Sequence, residues 1–222
     1  MLKLIFNPED LPIHSIATEG AVPSAHLNGE WLRQRFNQPP PWTPESTDEN
    51  LLANVPTFKH AAVLIPLVLH DDGIGLVLTH RAAHLNNHAG QISFPGGRVE
   101  TADVSSIETA LREAQEEIGL DRHHADVIGV LPLYRTVTGY EITPVVALLR
   151  PPIVLTPDPV EVASIFEVPM SFLMDAKNHQ RRSIAMPNGE GVRTFYAMPY
   201  QRHFIWGATA GMLRNLFHLL RA

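Results

Sequence analysis

Two apolar, β-branched-rich runs, Ala61 to Leu69 and Ile74 to Thr79, stand on either side of Asp71-Asp72-Gly73. Runs of that length bounded by turn residues predict a β-hairpin. Pro66 removes one backbone donor from the first run, which predicts a bulge or an edge position there. A loop-like stretch from Arg81 to Phe94 follows and ends in Pro95-Gly96-Gly97. Next, Ile107, Leu111, Ala114 and Ile118 recur at helical spacing and fall on one stripe. Ser105 or Ser106 is the expected N-cap of this helix and Gly119 its expected stop. Further strands are expected over 126–133, 145–149, 153–155 and 162–168, with a short helix over 169–175. Ser183 to Met186 and Val192 to Ala197 flank Asn188-Gly189, a hairpin signal. An amphipathic helix is expected from about Ile205 to Leu220. Mixed strands with a few helices predict an α/β or α+β sandwich.

The residues before this patterned region have a different texture. Asn28 to Phe36 predicts a short helix capped by Asn28, and Pro39-Pro40-Pro41-Trp42-Thr43-Pro44 predicts a break in regular structure. Residues 1–57 are read as an N-terminal extension to a domain spanning 58–222. The expected role of this arm is packing or contact in a homodimer.

Composition narrows the function classes. Hydrophobic residues make up 45% of the 222 and charged residues 18%, enough apolar surface for a buried core. A formal charge of -6 argues against binding nucleic acid through a basic surface. It leaves a phosphorylated substrate open, because a bound cation reverses the local field. The chain has no cysteine, which excludes disulfides, thiolate metal sites and cysteine nucleophiles, and fits a reducing compartment. Met1 to Pro8 has too short an apolar stretch for a signal peptide. The strongest apolar run contains Pro66 and falls short of the ~20 residues of a membrane helix. The expectation is a soluble, cytoplasmic protein with neither a nucleic-acid nor a membrane partner.

Candidate chemistry lies in the helix. Glu113, Glu116 and Glu117 stand at i, i+3 and i+4 and share a face roughly opposite the apolar stripe. Alone, such a cluster is an ordinary solvated helix face. Magnesium and manganese, however, prefer hard oxygen ligands and commonly use a few carboxylates with substrate phosphates. Gly96 and Gly97 form a turn without side-chain bulk, where a backbone carbonyl or amide can approach metal or phosphate closely. Arg112 can hold a neighbouring carboxylate. Arg81 suits bidentate phosphate contact, with a surface salt bridge as its ordinary alternative. His80, His84 and His88 fall at i and i+4 spacing, but a glycine-containing loop without thiolates argues against a zinc site. Trp206 and Tyr140 are candidates to stack on a base, with core packing the ordinary role of Trp206.

Gly97, Asp103 and then Arg112-Glu113-Ala114-Gln115-Glu116-Glu117-Ile118-Gly119-Leu120 resemble the Nudix box, G-x5-E-x7-R-E-U-x-E-E-x-G-U with U a bulky aliphatic residue. The match departs in three ways. Aspartate stands for the first glutamate, eight residues rather than seven precede Arg112, and Ala114 replaces the aliphatic. Ala110-Leu111-Arg112-Glu113-Ala114 and the longer spacing are similar to the coenzyme A pyrophosphatase subfamily of Nudix hydrolases. That subfamily also carries L-L-T-x-R-[SA]-x3-R-x3-G-x3-F-P-G-G, matched by Val77-Leu78-Thr79-His80-Arg81-Ala82, Gly90 and Phe94-Pro95-Gly96-Gly97. Asn86 stands where this motif has its second arginine, which leaves the substrate less defined than the reaction. Thr143 to Val146 and Ile205 to Ala210 also resemble the subfamily.

The resemblance implies a Nudix-like α/β/α sandwich with a mixed sheet. It implies hydrolysis of the pyrophosphate bond of CoA or a CoA derivative, giving 3′,5′-ADP and 4′-phosphopantetheine or its acyl form, with Mg2+ or Mn2+ as cofactor. Glu113, Glu116 and Glu117 are then the metal ligands, with Gly96 or Gly97 adding a backbone carbonyl. Arg112 orients a glutamate, and Arg81, Gly97 and Arg98 touch substrate. Glu161 and Glu141 are candidate distal acids, each with a structural or solvated role as its ordinary alternative. Another nucleoside diphosphate substrate such as ADP-ribose, or a catalytically silent ligand-binding module, remains open.

Overall fold

The computed structural model describes residues 7–45, 57–85, 89–185 and 192–222. In chain order the elements are β1 (Ile13–Ile16), α1 (Gly29–Asn37), β2 (Lys59–His70), β3 (Gly73–Arg81), β4 (Ile92–Ser93) and β5 (Gly96–Arg98). There follow α2 (Ser106–Ile118), β6 (Ala125–Val130), β7 (Tyr134–Arg135), β8 (Tyr140–Leu149), β9 (Val162–Pro169) and α3 (Met170–Leu173). The chain continues through β10 (Gln180–Ala185), β11 (Val192–Tyr200), β12 (His203–Trp206) and α4 (Gly207–Arg221).

Strand β2 organises the larger sheet. Alternation along it sends Ala62, Leu64 and Val68 to one face and Ile65 and Leu67 to the other, all fully buried. It turns through Asp71-Asp72 into β3, as the pattern predicts, and runs parallel to β8 from Lys59↔Tyr140 to Val68↔Leu149. The main path is β4-β3-β2-β8-β6, with β5 added to β2, β7 to β8 and β9 to β3. Helix α2 covers one face: Ala110, Ala114 and Ile118 pack with Ala62, Leu64, Val145 and Ala147. The other face meets α3 and α4, together with Val22 and Leu32 of the arm. A second, antiparallel sheet, β1-β10-β11-β12, lies alongside α4. Helices on both faces of a mixed sheet make the α/β/α sandwich that was expected.

Four local expectations need correction. Pro66 lies within a central strand, not at a bulge or an edge. Leu64 donates to Pro95 on one side of β2, so by alternation the missing donor of Pro66 faces the same side. There it falls between Val63, the last residue paired with β5, and Leu67, the first paired with β3. Residues 153–155 form no strand. Their segment directs its backbone donors at the end of α2 instead, with Thr156 N–H bonding Ile118 O at 2.9 Å and Asp158 N–H bonding Glu117 O at 3.0 Å. Ile205 belongs to β12, and α4 is buried almost all round, so it is a core helix rather than an amphipathic one. The stretch from Arg81 to Phe94 is not all loop, since Arg81 ends β3 and Ile92–Ser93 pair with it. The Asn188-Gly189 turn lies outside the described residues.

The arm is built into the body. Asn28 caps α1 by accepting the Trp31 N–H at 2.9 Å, β1 pairs with β10, and Phe36 rests where a side chain on Gly129 would stand, 2.6 Å from that Cβ position. Arg214 of α4, 3% exposed, donates to Glu19 at 2.6 Å and to Glu45 at 2.9 Å. Tyr196 and His218 also reach Glu45, at 3.0 and 2.8 Å. Burial alone would raise the Glu45 carboxyl, but the bonds from His218, Tyr196 and Arg214 outweigh it and hold it at about 2. Burial depresses His179 to about 4. Its Nε2 faces Leu173 O at 2.7 Å and its Nδ1 lies 3.1 Å from Arg214 Nη1, which suits the neutral ring.

Both shifts lie below the ordinary values of 6.5 for histidine and 4.5 for glutamate. The unfolded chain therefore takes up protons that the folded chain refuses, first at His179 and then at Glu45. The contribution of these two groups is full above about pH 6.5 and is lost as pH falls towards 2, on the order of 4 kcal/mol after allowance for solvent screening at Glu45. Urea melts of the parent and of the Glu45→Gln variant between pH 4.5 and 2 test the Glu45 share, because between pH 7 and 4.5 the raised Glu117 carboxyl changes stability in the opposite direction; acid limbs of equal slope in the two proteins would contradict it.

Candidate active site

The site forms where α2 passes the glycine turn. Ser105 accepts the Glu108 N–H at 3.2 Å to start the helix, and Gly119, at φ 65°, stops it in the left-handed conformation that the absent side chain permits. The buried face contains Ala110, Ala114 and Ile118, and also Thr109 and Glu117. The predicted stripe is therefore rotated. Ile107 is 38% exposed, whereas Glu117, expected on the solvated face with its neighbours, is 2% exposed. Ala114, where the box motif has a bulky aliphatic, is fully buried and lets the helix sit close to the sheet.

Glu117 tolerates burial because of what β5 and β3 present to it. Gly96 N–H donates to Glu117 Oε2 at 3.1 Å, and Arg81 Nη1 donates to Oε1 at 3.3 Å. Burial raises the Glu117 carboxyl to about 7; the Gly96 bond and the Arg81 charge pull it down, and the charges of Glu113 and Glu161 push it up. Burial raises Glu113 as well, against the pull of Arg112, with Glu116 and Glu161 adding to the rise. Glu113, Glu116, Glu117 and Glu161 are thus crowded enough for their charges to add to the effect of burial at Glu113 and Glu117, despite Arg81 and Arg112.

Close approach to backbone requires glycine at 96, whereas a side chain at 97 would push the Glu113 carboxylate out of its place. A Cβ on Gly96 would stand 2.5 Å from Ala62 O and 2.6 Å from Val63 Cα, both backbone atoms. A Cβ on Gly97 would stand 2.4 Å from the Glu113 carboxyl carbon. Leu64 donates to Pro95 O and Val99 donates to His60 O, which puts the Ala62–Gly97 pair in hydrogen-bonding register. The Gly97 carbonyl is therefore turned to β2, and that of Gly96 is turned away from it, on the side where the Gly96 N–H meets Glu117.

Arg112 organises the acids. Its Nη1 donates to Glu113 Oε1 and Glu116 Oε2, both at 2.9 Å, and its Nη2 donates to Arg98 O at 3.1 Å. Nε and Nη2 clamp Asp103 in a bidentate pair, both bonds 3.0 Å. Asp103 also accepts from Thr109 Oγ1 and the Glu100 N–H, and these partners hold its carboxyl well below the usual range. Asp103 is thus an anchor for Arg112, a role beyond the site residues that the motif implies. Its place at the first acid of the box was the available signal.

The two candidate distal acids part company. The charge of Glu161 acts on both Glu113 and Glu117, and its carbonyl accepts the Ala82 N–H at 2.9 Å, tying its loop to the end of β3. Glu141 is engaged instead by Arg135 at 2.8 Å and His60 at 3.5 Å. Arg98, exposed beyond Gly97, is held by the Tyr140 hydroxyl, so Tyr140 is a partner for a side chain here. Trp206 packs edge-to-face on Phe195 at 5.3 Å. His84 faces Val160 O at 2.9 Å, while Asn86 and His88 lie outside the described residues.

Among the described residues no three acid or histidine side chains already converge on one point. The reason is visible in the bonds: Arg112 draws Glu113 and Glu116 to itself, while Glu117 turns to Gly96 and Arg81. Each donor left over is nevertheless a hard oxygen, including Glu113 Oε2, Glu116 Oε1 and the Gly96 carbonyl. That set fits magnesium or manganese and no soft metal.

The NUDIX domain family model matches residues 58–184. A protein named Uncharacterized Nudix hydrolase NudL from Enterobacter sp. (strain 638) is 42% identical over 158 residues, covering 71% of this chain and 81% of that one. Its namesake from Escherichia coli (strain K12 / DH10B) is 41% identical over 165 residues, covering 73% and 84%. Among solved structures, a Nudix hydrolase from M. smegmatis, RenU, aligns with a TM-score of 0.43 at 23% identity over 50% of this chain and 70% of that one. The chain belongs to the Nudix hydrolase family. No helix among the described residues is long and apolar enough to cross a membrane.

Proposed function

We propose that this chain hydrolyses the pyrophosphate bond of CoA or a CoA derivative, yielding 3′,5′-ADP and 4′-phosphopantetheine or its acyl form. The observation that carries the chemistry is the buried Glu117, held between the Gly96 N–H and Arg81 and facing the charge of Glu113 and Glu161. The motif running from Val77 to Gly97, which contains Arg81, supports the CoA class.

Glu113, Glu116 and Glu117, with the Gly96 carbonyl, would hold Mg2+ or Mn2+. Such a cation, when bound, neutralises diphosphate charge and lowers the pKa of a bound water. The chain's own residues do the rest. Arg81 is bonded to Glu117 through Nη1 and its side chain is 22% exposed, so its guanidinium is suited to a diphosphate oxygen arriving beside Glu117. Arg112, anchored on Asp103, orients Glu113 and Glu116 through one oxygen of each, Glu113 Oε1 and Glu116 Oε2, and leaves the other oxygen of each carboxylate to turn to a cation. Glu161 is the base that takes the proton from the attacking water, as the oxygen–phosphorus bond forms and the bond to the leaving phosphate breaks. Glu141 is already committed to Arg135.

A second reading, hydrolysis of another nucleoside diphosphate derivative such as ADP-ribose, is favoured by Asn86 in the place of the motif's second arginine. Incubation of purified protein with magnesium or manganese and a panel of CoA, ADP-ribose and other diphosphates separates the readings. CoA cleavage into the two named products, abolished by EDTA and restored by added metal, is the expected result. Turnover of another diphosphate alone selects the second reading. Tight ligand binding without any turnover marks a silent binding module.

A further inference from the structure

Beyond the glycine turn, Lys59, His60, Arg98, Val99, Glu100 and Thr101 line an open cleft of about 480 Å³. The diphosphate reading gives this cleft no task. Arg98 reaches it as a preset donor. Its Nε and Nη2 donate to the Tyr140 hydroxyl at 3.1 and 2.8 Å, and the guanidinium lies 5.6 Å from the Tyr140 ring centroid. A neutral oxygen therefore fixes its direction while three of its five N–H donors remain for a ligand. Neither Arg98 nor Lys59 makes an ion pair among the described residues.

The local acids do not cancel this charge. Glu141 is matched by Arg135 at 2.8 Å and approached by His60 at 3.5 Å. Among the described residues Glu100 is the one acid lining the cleft itself, against Lys59 and Arg98. The position relative to the acids is also fixed. Arg98 follows Gly97, which abuts Glu113, and lies two residues from Gly96 on β5. Two strand rises are about 7 Å, the scale of a single ribose ring.

We propose that this cleft is a second anion subsite, binding a phosphate monoester carried on the ribose of a nucleoside diphosphate substrate. The assignment rests on the diphosphate reading for its orientation. Lys59 supplies a point charge, Arg98 a directed fork, and Thr101, which also lines the cleft, a hydroxyl. The subsite selects among diphosphates; it takes no part in breaking the bond.

Two measurements test it, and only one needs turnover. In calorimetric titration, 3′,5′-ADP is expected to bind at least about tenfold more tightly than 5′-AMP, since a charge-assisted contact is gained. In the Lys59→Ala/Arg98→Ala double variant that preference is expected to fall to about twofold or less, with Arg98→Lys between the two. Equal binding of both nucleotides by the parent protein, or a preference unchanged in the double variant, overturns the subsite. In turnover assays the ratio of kcat/KM for CoA over 3′-dephospho-CoA is expected to fall about tenfold, through KM. An unchanged ratio overturns the subsite while leaving diphosphate hydrolysis standing. Selective 3′,5′-ADP binding that is lost in the double variant, in a protein that cleaves no diphosphate, upholds the subsite and removes the hydrolysis reading instead. Both side chains are exposed, and unchanged thermal melting of the variants would show that the fold is intact.

Discussion

Replacing Glu117 by glutamine is expected to lower kcat by about 10³-fold, equivalent to roughly 4 kcal/mol of transition-state stabilisation. Glutamine has nearly the same shape, so its carbonyl can keep the 3.1 Å bond from the Gly96 N–H. It loses the negative charge, and its amide then faces Arg81, donor against donor. The fold is expected to survive, because a 2%-exposed carboxylate is replaced by a neutral group that costs less to bury. Thermal melting should therefore change little or rise. Glu116→Gln is the internal comparison: its side chain is 59% exposed, and a fall of about tenfold is expected. Turnover at saturating magnesium, with the melting curve of each variant, decides the matter. An E117Q protein retaining kcat within about threefold of the parent would falsify the ligand assignment.

The acidic helix was readable from sequence because its signals are local: spacing, a serine before it, a glycine after it. The burial of Glu117 was not. Amphipathic periodicity places it on the solvated face, and the reversal comes from Gly96 on a strand twenty-one residues earlier, whose N–H is free to meet it. Residues 153–155 depart from the strand their sequence predicts for the same kind of reason. Their apolar content suits a strand, but the open carbonyls at the end of α2 compete for the backbone donors just beyond them. Pro66 is the inverse case. Proline excludes itself from a continuous ladder, yet the gap between β5 and β3 along one side of β2 admits it, and no local rule reveals such a gap. Charge partners were also invisible in one dimension. The motif makes Arg112 a support for glutamates, but its anchor on Asp103 depends on the loop after the glycine turn coming back to the helix. The arm shows the limit most sharply, since nothing near Glu19 or Glu45 in sequence names the arginine, some 170 to 195 residues later, that both of them meet.

That arginine carries the largest expected effect on stability. Arg214 is 3% exposed and donates to Glu19, to Glu45 and to the Nδ1 side of His179. Three separated pieces of the chain, two from the arm and one from the end of the α3 region, thus share one guanidinium. Replacing it by methionine keeps most of the volume and removes the charge. Glu45 retains Tyr196 and His218 as donors, but Glu19 keeps no cation within bonding distance among the described residues. Breaking a buried ionic contact from one side costs about 3 kcal/mol or more, because the remaining charges stay partly desolvated. For a chain of this size each kcal/mol shifts Tm by about 2–4 °C, so a fall of roughly 10 °C is expected. Glu45→Gln should cost less and should flatten the acid limb between pH 4.5 and 2, since the group whose carboxyl is depressed to about 2 is then gone. The same change at Arg214 loosens the arm's attachment, so limited proteolysis should cleave the N-terminal region sooner than in the parent. A Tm within about 2 °C of the parent, with unchanged proteolysis, would show that apolar contacts such as Leu32 and Val22 hold the arm by themselves.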